Sequence, residues 1–331
     1  MAVHTPAIHQ PAEPSNVIAF PALEDGANPP IPHLEPAAQQ RAMDFILEYG
    51  TNLQRERLLY HFPTNGGSPD NNNVLAALGH YQNHDGGFGH GLEADLRTKK
   101  STVIATTVAL QILDSCSGMG SELANNALQY LVGQYREHGW QPIHAEANDA
   151  PHAPWWRFNA ADSGFQANPS AEVLKYLLDN RLMATTTPAL LETAMAHLTA
   201  ESLEMHELLC FGRLYESKAL TKAQRMTMLP LLLSHAFRLV NSEPLDWEEY
   251  CLTPLSVATR PDNVFAEFFA DLLPLNFQFL IDTQADDGSW SPNWSWAGEF
   301  PATWKVVQTE IKAELSLKNL MLFRAYGGLT T

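Results

Sequence analysis

The heptapeptide QNHDGGF at residues 82–88 returns near the other end of the chain as QADDGSW at residues 284–290. Both fit one frame: a glutamine (Gln82, Gln284), an Asp-Gly pair (Asp85-Gly86, Asp287-Gly288) and an aromatic residue (Phe88, Trp290). A looser copy with one extra residue, QYREHGW, occupies 134–140, and a partial one, ADSGF, occupies 161–165. An Asp-Gly pair makes a tight turn because glycine enters positive φ freely and aspartate bonds its own backbone. The glutamine can cap the ends of neighbouring helices, and the aromatic can pack between them. These roles recur at every copy whatever the chemistry, so they are architectural.

Around the turns the chain reads as helix. Ala42, Phe45, Ile46, Tyr49 and Leu53 fall at three- and four-residue steps and form one apolar stripe. The cluster GGSPDNNN at 66–73 ends that unit. A short helix is expected over 74–81, and longer ones over 122–136, 171–179, 188–198, 203–214, 222–239, 264–283 and 302–326, the last with a break. Most turns are followed, after an insert, by a helix opening on a small residue: Ser101, Ser170 and Ala313. Strand alternation is almost absent, so the fold class is all-α. A unit of helix, glycine turn and helix cannot bury its apolar face alone. Closed into a ring of copies, such hairpins make an (α/α) toroid, or barrel, with inner and outer helical layers.

Composition bounds the rest. The 331 residues are 45% hydrophobic, enough for one large core, expected as a single toroid domain over 36–331. The first 36 residues hold eight of the 22 prolines and no Lys or Arg. That argues against a basic leader and for a disordered or extended arm over 1–35. No apolar run of about 18 residues is present, so no spanning membrane segment is expected. Cys116, Cys210 and Cys251 follow no CxxC pattern, as free buried thiols of a cytoplasmic protein would. The net charge, 20 − 37 = −17, repels phosphate backbones and argues against a nucleic-acid partner. The basic cluster of Arg97, Lys99 and Lys100 is large enough to place one anionic group. Thirteen histidines form no HxH or HExxH pair, so no metal site is expected. A homodimer is left open.

The Q-x-x-D-G-x-aromatic elements resemble the QW repeats of the prenyltransferase and squalene-oxidase-repeat superfamily. Its members include squalene-hopene and oxidosqualene cyclases, the β domains of class II diterpene cyclases and the β subunits of protein prenyltransferases. The resemblance spans roughly residues 75–327. It implies a terpenoid cyclase/protein prenyltransferase-like barrel with a central cavity but no particular reaction, since cyclases, lipid transferases and binding proteins share the fold; a small lipophilic substrate and no cofactor are expected here. The family's initiating motifs are missing. In DxDD the middle acid is kept protonated by its neighbours and by burial, whereas this chain has DTQADD at 282–287. The magnesium motifs DDxxD and NSE are absent, since Asp286 and Asp287 run into Gly288, Ser289 and Trp290. The zinc set of protein prenyltransferases has no match around the three cysteines.

The loop HGLEADLR at 90–97 is not required by the repeat frame. Glu93 and Asp95 stand two residues apart, flanked by His90 and Arg97. One carboxylate held ionised against the arginine would leave the other protonated, with His90 and Arg97 tuning the proton that a buried substrate receives. The plain alternative is a salt bridge from Glu93 or Asp95 to Arg97 that pins the loop. Two inserts add aromatics: APHAPWWRF at 150–158, with Trp155, Trp156, Arg157 and Phe158, and the 289–304 segment, with Trp294, Trp296, Phe300 and Trp304. Six of the eight tryptophans lie there or in the adjoining turn, so the inserts are expected to meet and line a cavity. Aromatic faces stabilise the cations of a cyclisation cascade, although plugs and sugar-binding sites use them too. The segment 246–255, with Trp247 and Tyr250, reads as a helix turn without a functional role. The functional expectation is a terpene cyclase-like enzyme performing acid-initiated cyclisation or rearrangement of an isoprenoid-derived substrate. The alternatives are a carbohydrate-active toroid hydrolase or lyase, with Asp162 or Asp286 as the opposing acid, and a non-catalytic repeat protein. Glu93 and Asp95 on the outer surface, both salt-bridged, would favour the last.

Overall fold

In a computed structural model of the chain, residues 30–63, 70–160 and 164–329 are described. Twelve α-helices and no β-strand run through them, in agreement with the all-α expectation. The odd-numbered helices are α1 (Pro36–Tyr49), α3 (Asn72–Gly79), α5 (Glu122–Gln134), α7 (Thr187–Leu198), α9 (Lys222–Leu239) and α11 (Leu273–Asp282). The even-numbered are α2 (Asn52–His61), α4 (Val103–Ser115), α6 (Ala167–Asp179), α8 (Met205–Tyr215), α10 (Pro254–Val257) and α12 (Pro301–Ala325). Every even-numbered helix, and no odd-numbered one, contributes side chains to the two cavities along the axis. The chain thus alternates outer and inner helices, and α12 closes the ring by packing on α1 and α2. This is the (α/α) toroid.

The turns hold the layers together with one repeated set of bonds. Gln82 Nε2 donates to Gly86 O in its own turn and to Leu123 O in the first turn of α5, both at 3.0 Å. Gln284 Nε2 does the same with Gly288 O and with Ala38 O in the first turn of α1, again at 3.0 Å. Each glutamine therefore ties its turn to the next outer helix, and the second one bridges the two ends of the ring. Asp85 and Asp287 accept from the N–H of Gly87 and Ser289 at 3.0 and 2.9 Å. The aromatics Phe88, Trp140 and Trp290 are buried. Their peptide N–H groups donate to hydroxyls on the following inner helix: Thr106 at 3.0 Å, Ser170 at 3.0 Å and Ser316 at 3.3 Å. Of the small residues expected to open those helices, Ser170 has this role, while Ser101 donates to Asp85 instead and Ala313 carries no hydroxyl. The partial copy at 161–165, and Asp162 with it, falls largely outside the described residues, as do part of the 66–73 cluster and residues 1–29 of the arm.

Four expectations change. The single stripe from Ala42 to Leu53 belongs to two helices, because Thr51 starts a new one. Its Oγ1 accepts from Gln54 N–H (3.3 Å) and Gln54 Oε1 accepts from Thr51 N–H (2.9 Å), a reciprocal cap that restarts the helix. The helix expected over 264–283 begins only at Leu273, the residues before it forming successive turns. The last helix runs unbroken from Pro301 to Ala325. Cys116 and Cys210 are free and buried, whereas Cys251 is only partly covered. Residues 246–255 run from the end of a short 3₁₀ turn (Pro244–Asp246) through turns to the start of α10 at Pro254, with Trp247 buried and its Nε1 donating to Asn241 O. At the start of the described chain Leu34 is fully buried and donates its N–H to Gly328 O at 2.9 Å, so this part of the arm is fastened to the C-terminal residues. Among the described residues no helix is long and apolar enough to cross a membrane.

Candidate active site

One of the axial cavities, about 380 Å³, lies between α2, α4 and α12 and is capped by the loop at 90–97. The loop is positioned by its backbone. Arg97 N–H donates to Pro151 O at 2.9 Å and Ala153 N–H donates to Asp95 O at 2.8 Å, so the 150–158 insert lies alongside it. The other insert arrives from α12's side. Trp296 Nε1 donates to Asp95 Oδ1 at 2.7 Å and Trp294 Nε1 to Asp95 Oδ2 at 3.1 Å. Trp156 Nε1, from the first insert, donates to Glu93 Oε1 at 3.4 Å. The two aromatic inserts meet, as their tryptophan content suggests, and the acid pair sits in the seam.

Burial, with the charge of Asp95 beside it, pushes the Glu93 carboxyl up to about 7, against the weak pull of the Trp156 bond. What accessible surface Glu93 keeps faces the cavity that it lines. Asp95, itself buried, is also raised by burial, but two indole N–H groups oppose the shift by bonding its ionised form. No Lys, Arg or His among the described residues lies within 4.0 Å of either carboxylate; Arg97 points instead to Glu310, at 2.6 Å. The expected arginine counter-charge is thus replaced by indole donors, which leave the pair's net negative charge uncompensated. Two acids so placed are coupled: the value of about 7 leaves the Glu93 carboxyl protonated at lower pH, while the indole bonds favour the ionised form of Asp95. Neither acid is on the outer surface or salt-bridged, which removes the condition that would favour a non-catalytic protein. Asp286 is exposed on its turn and faces no partner acid in this cavity.

Replacing Trp296 by phenylalanine would strip buried Asp95 of its shortest bond. The expected cost is about 1–3 kcal/mol of stability, read from thermal or urea melts, together with an upward shift of the Asp95 titration.

Of the remaining predicted residues, His90, Arg97 and Trp294 line the same cavity as the two acids, and the others lie apart from it. His90 is exposed, in left-handed backbone (φ 56), and donates from Nε2 to Asn83 Oδ1 at 2.9 Å. Trp296 is fully buried against Trp304, ring centres 5.7 Å apart, so it buttresses Asp95, and Trp294 lines the cavity. Trp155, Arg157 and Phe158, with Trp156, surround a separate cavity of about 310 Å³ that reaches Asn168 of α6 and Glu207 of α8, with Trp155 half-exposed and Arg157 paired to Glu299 at 2.9 Å. Several inner-helix polar groups escaped the sequence reading. Arg57 binds Glu314 at 2.6 Å, and Gln54 Nε2 donates to both Glu310 O and Glu314 Oε2. Burial raises the Glu314 carboxyl, yet the charge and hydrogen bonds of Arg57 outweigh it and hold the group below the usual range. Acids one turn apart, Glu310 and Glu314, beside Ile311 and Leu315 on the same helical face, were the available signal. Among the described residues no three His, Cys, Asp or Glu side chains converge as metal ligands would.

No protein-family model and no curated protein sequence matches the chain. Solved structures do resemble it in fold. One is a protein from Actinoplanes, with TM-score 0.50 and 13% identity over 88% of this chain and 99% of that one. Another is a single-residue variant of the type II terpene cyclase MstE from Scytonema, with TM-score 0.51 and 12% identity over 88% of this chain and 97% of that one. At such identity the likeness is one of fold, and the chain has a terpene cyclase-like all-α fold.

Proposed function

We propose that the protein is a terpene cyclase-like enzyme, an isomerase or lyase, that carries out acid-initiated cyclisation or rearrangement of a lipophilic isoprenoid-derived substrate. The observation that carries the reading is Glu93: a carboxyl raised to about 7, lining the axial cavity beside an aspartate that accepts bonds from two indoles. The fold likeness to a type II terpene cyclase supports it, and on this reading the glutamine turns are QW repeats.

Protonated Glu93 would give its proton to an alkene carbon or epoxide oxygen of the bound chain. On an alkene the π pair forms the new C–H bond; on an epoxide an oxygen lone pair takes the proton and the C–O pair moves onto oxygen as that bond breaks; either route leaves a tertiary cation. Neighbouring double bonds close rings onto that cation, the indole of Trp294 stabilises it through the face of its π system, and loss of a proton yields a neutral product isomeric with the substrate. Glu93, left ionised next to Asp95, is repelled by it and takes up a proton again. His90 and Arg97 would act at a remove, Arg97 by holding Glu310 at the cavity wall. The three free thiols suit a reducing cytoplasm, and the proposal requires neither metal nor nucleic acid. Incubation with a panel of polyprenyl acids, alcohols, diphosphates and epoxides, with detection of a cyclic product of unchanged mass, tests the reading. Absence of product from every class, or product that persists undiminished in Glu93→Gln, overturns it.

A further inference from the structure

Beyond the acid cavity the axis continues into a second cavity of about 700 Å³. Two residues border both, Gln111 and Ser115, on successive turns of α4. The two spaces differ in what they offer a hydrocarbon chain. The acid cavity presents Leu53, Val108, Ile112, Ile311 and Leu315 alongside its polar groups. The second presents charge, through Asp114, Lys175, Asp179, Arg213, Glu216 and Arg260. An apolar chain gains by burial against the first set and would strip water from the second.

Gln111 stands where the walls change, and it is tied there. Its Nε2 donates to Glu172 Oε1 at 2.8 Å, across from α4 to α6. Glu172 is 1% exposed, and its other oxygen accepts from Arg213 of α8 at 3.2 Å. Swinging the amide aside would take a donor from a buried carboxylate, which costs more than burial of one methylene returns. The depth of this barrier is set by α4. Leu96 of the acid loop and Ile104 in the first turn of α4 belong to one apolar cluster, and Gln111 follows two turns later. At the helical rise per residue, that leaves roughly 10 Å of wall between loop and barrier.

We propose that Gln111, held by Glu172, is a specificity-determining residue: it ends the hydrocarbon-binding part of the axial site, so that a prenyl chain filling the acid cavity is bound and a longer one gains nothing further. This rests on the proposed function for the chain being prenyl. The limit itself is a property of the cavity and is read without turnover.

Binding of straight-chain primary alcohols, from hexanol to tetradecanol, is followed by the change in tryptophan emission, since Trp294 lines the acid cavity. In the wild type affinity should rise about fourfold with each methylene, the return on burying it, up to a limiting length, and then stop rising. In Gln111→Ala the rise should continue to longer chains, so that the first alcohol beyond the wild-type limit binds at least about fourfold more tightly than it does to the wild type. The shorter alcohols should bind both proteins alike, which also shows that the variant is folded. Should Gln111→Ala not fold, Gln111→Asn, one methylene shorter and still an amide, should move the limit in the same direction. Val108→Phe, whose ring enters the acid cavity, should bring the limit to shorter chains. No binding of any alcohol, an affinity that rises without limit in the wild type, a limit left in place by the Gln111 variants, or a series indifferent to Val108→Phe overturns the inference. The Glu93→Gln turnover assay tests the cyclase reading separately: a limit that moves with Gln111 stands even where no polyprenyl substrate is turned over, and then describes a length-selective site for another apolar chain.

Discussion

Glu93→Gln is expected to lower kcat by about 10²–10⁴-fold, the range that a positioned general acid supplies, with little change in substrate binding. Glutamine keeps the shape of the side chain and removes the transferable proton. In the wild type the rate should be full below pH 7 and fall as pH rises through about 7, because only the protonated carboxyl can act and its value is raised to that point. Stability should fall in the same direction, over a lower range of pH. In the unfolded chain Glu93 ionises near the ordinary glutamate value, so between there and about 7 the folded state holds the extra proton and stability declines as pH rises, by on the order of 3 kcal/mol in full. The glutamine variant escapes this decline. It should be inactive yet melt higher than the wild type at pH 8, with the difference vanishing toward pH 4.5. A variant that is inactive and also less stable at pH 8 would point to a structural role for Glu93.

Gly288→Ala should be among the most destabilising single changes in the toroid. Gly288 has φ 87, and a Cβ there would lie 2.4 Å from the carbonyl carbon of Arg41 and 2.5 Å from its oxygen, on α1. The turn cannot retreat without pulling on the Gln284 bonds that join the last hairpin to the first. A loss of about 3 kcal/mol or more is expected from left-handed strain and overlap together, seen in a denaturant melt. Gly298→Ala is the control, because Gly298 has a similar φ of 86 but nothing within 4 Å of the added atom, so only about 1 kcal/mol of strain should appear. Equal losses at the two positions would mean that the turn's seat against α1 does not hold the ring.

What the sequence discloses here depends on distance along the chain. The glycine turns are local, and their residues carry the same bonds in space that their spacing suggests. The Glu93 and Asp95 loop stood out because the repeat does not need it, and the tryptophan-rich inserts do converge on it. Partners far away in sequence were hidden. Arg97 has Asp95 two residues off, yet takes Glu310, 213 residues away, since the ring brings α12 against the loop. Trp296 reads as cavity lining, but an indole has both an apolar body and a donor, and here the donor is used to hold a buried carboxylate. The division between α1 and α2 was masked because the apolar stripe continues in phase across Gly50, and only the Thr51 cap reveals it.

The central claim is that a proton from Glu93 starts the reaction by forming a bond to the substrate. Turnover of an accepted polyene in D₂O tests it most directly, by mass spectrometry of the cyclic product. The account predicts one non-exchangeable deuterium per product molecule at the initiating carbon, at a rate that falls above pH 7 and nearly vanishes in Glu93→Gln. A cyclic product without solvent deuterium, or one labelled equally fast by Glu93→Gln, would contradict it.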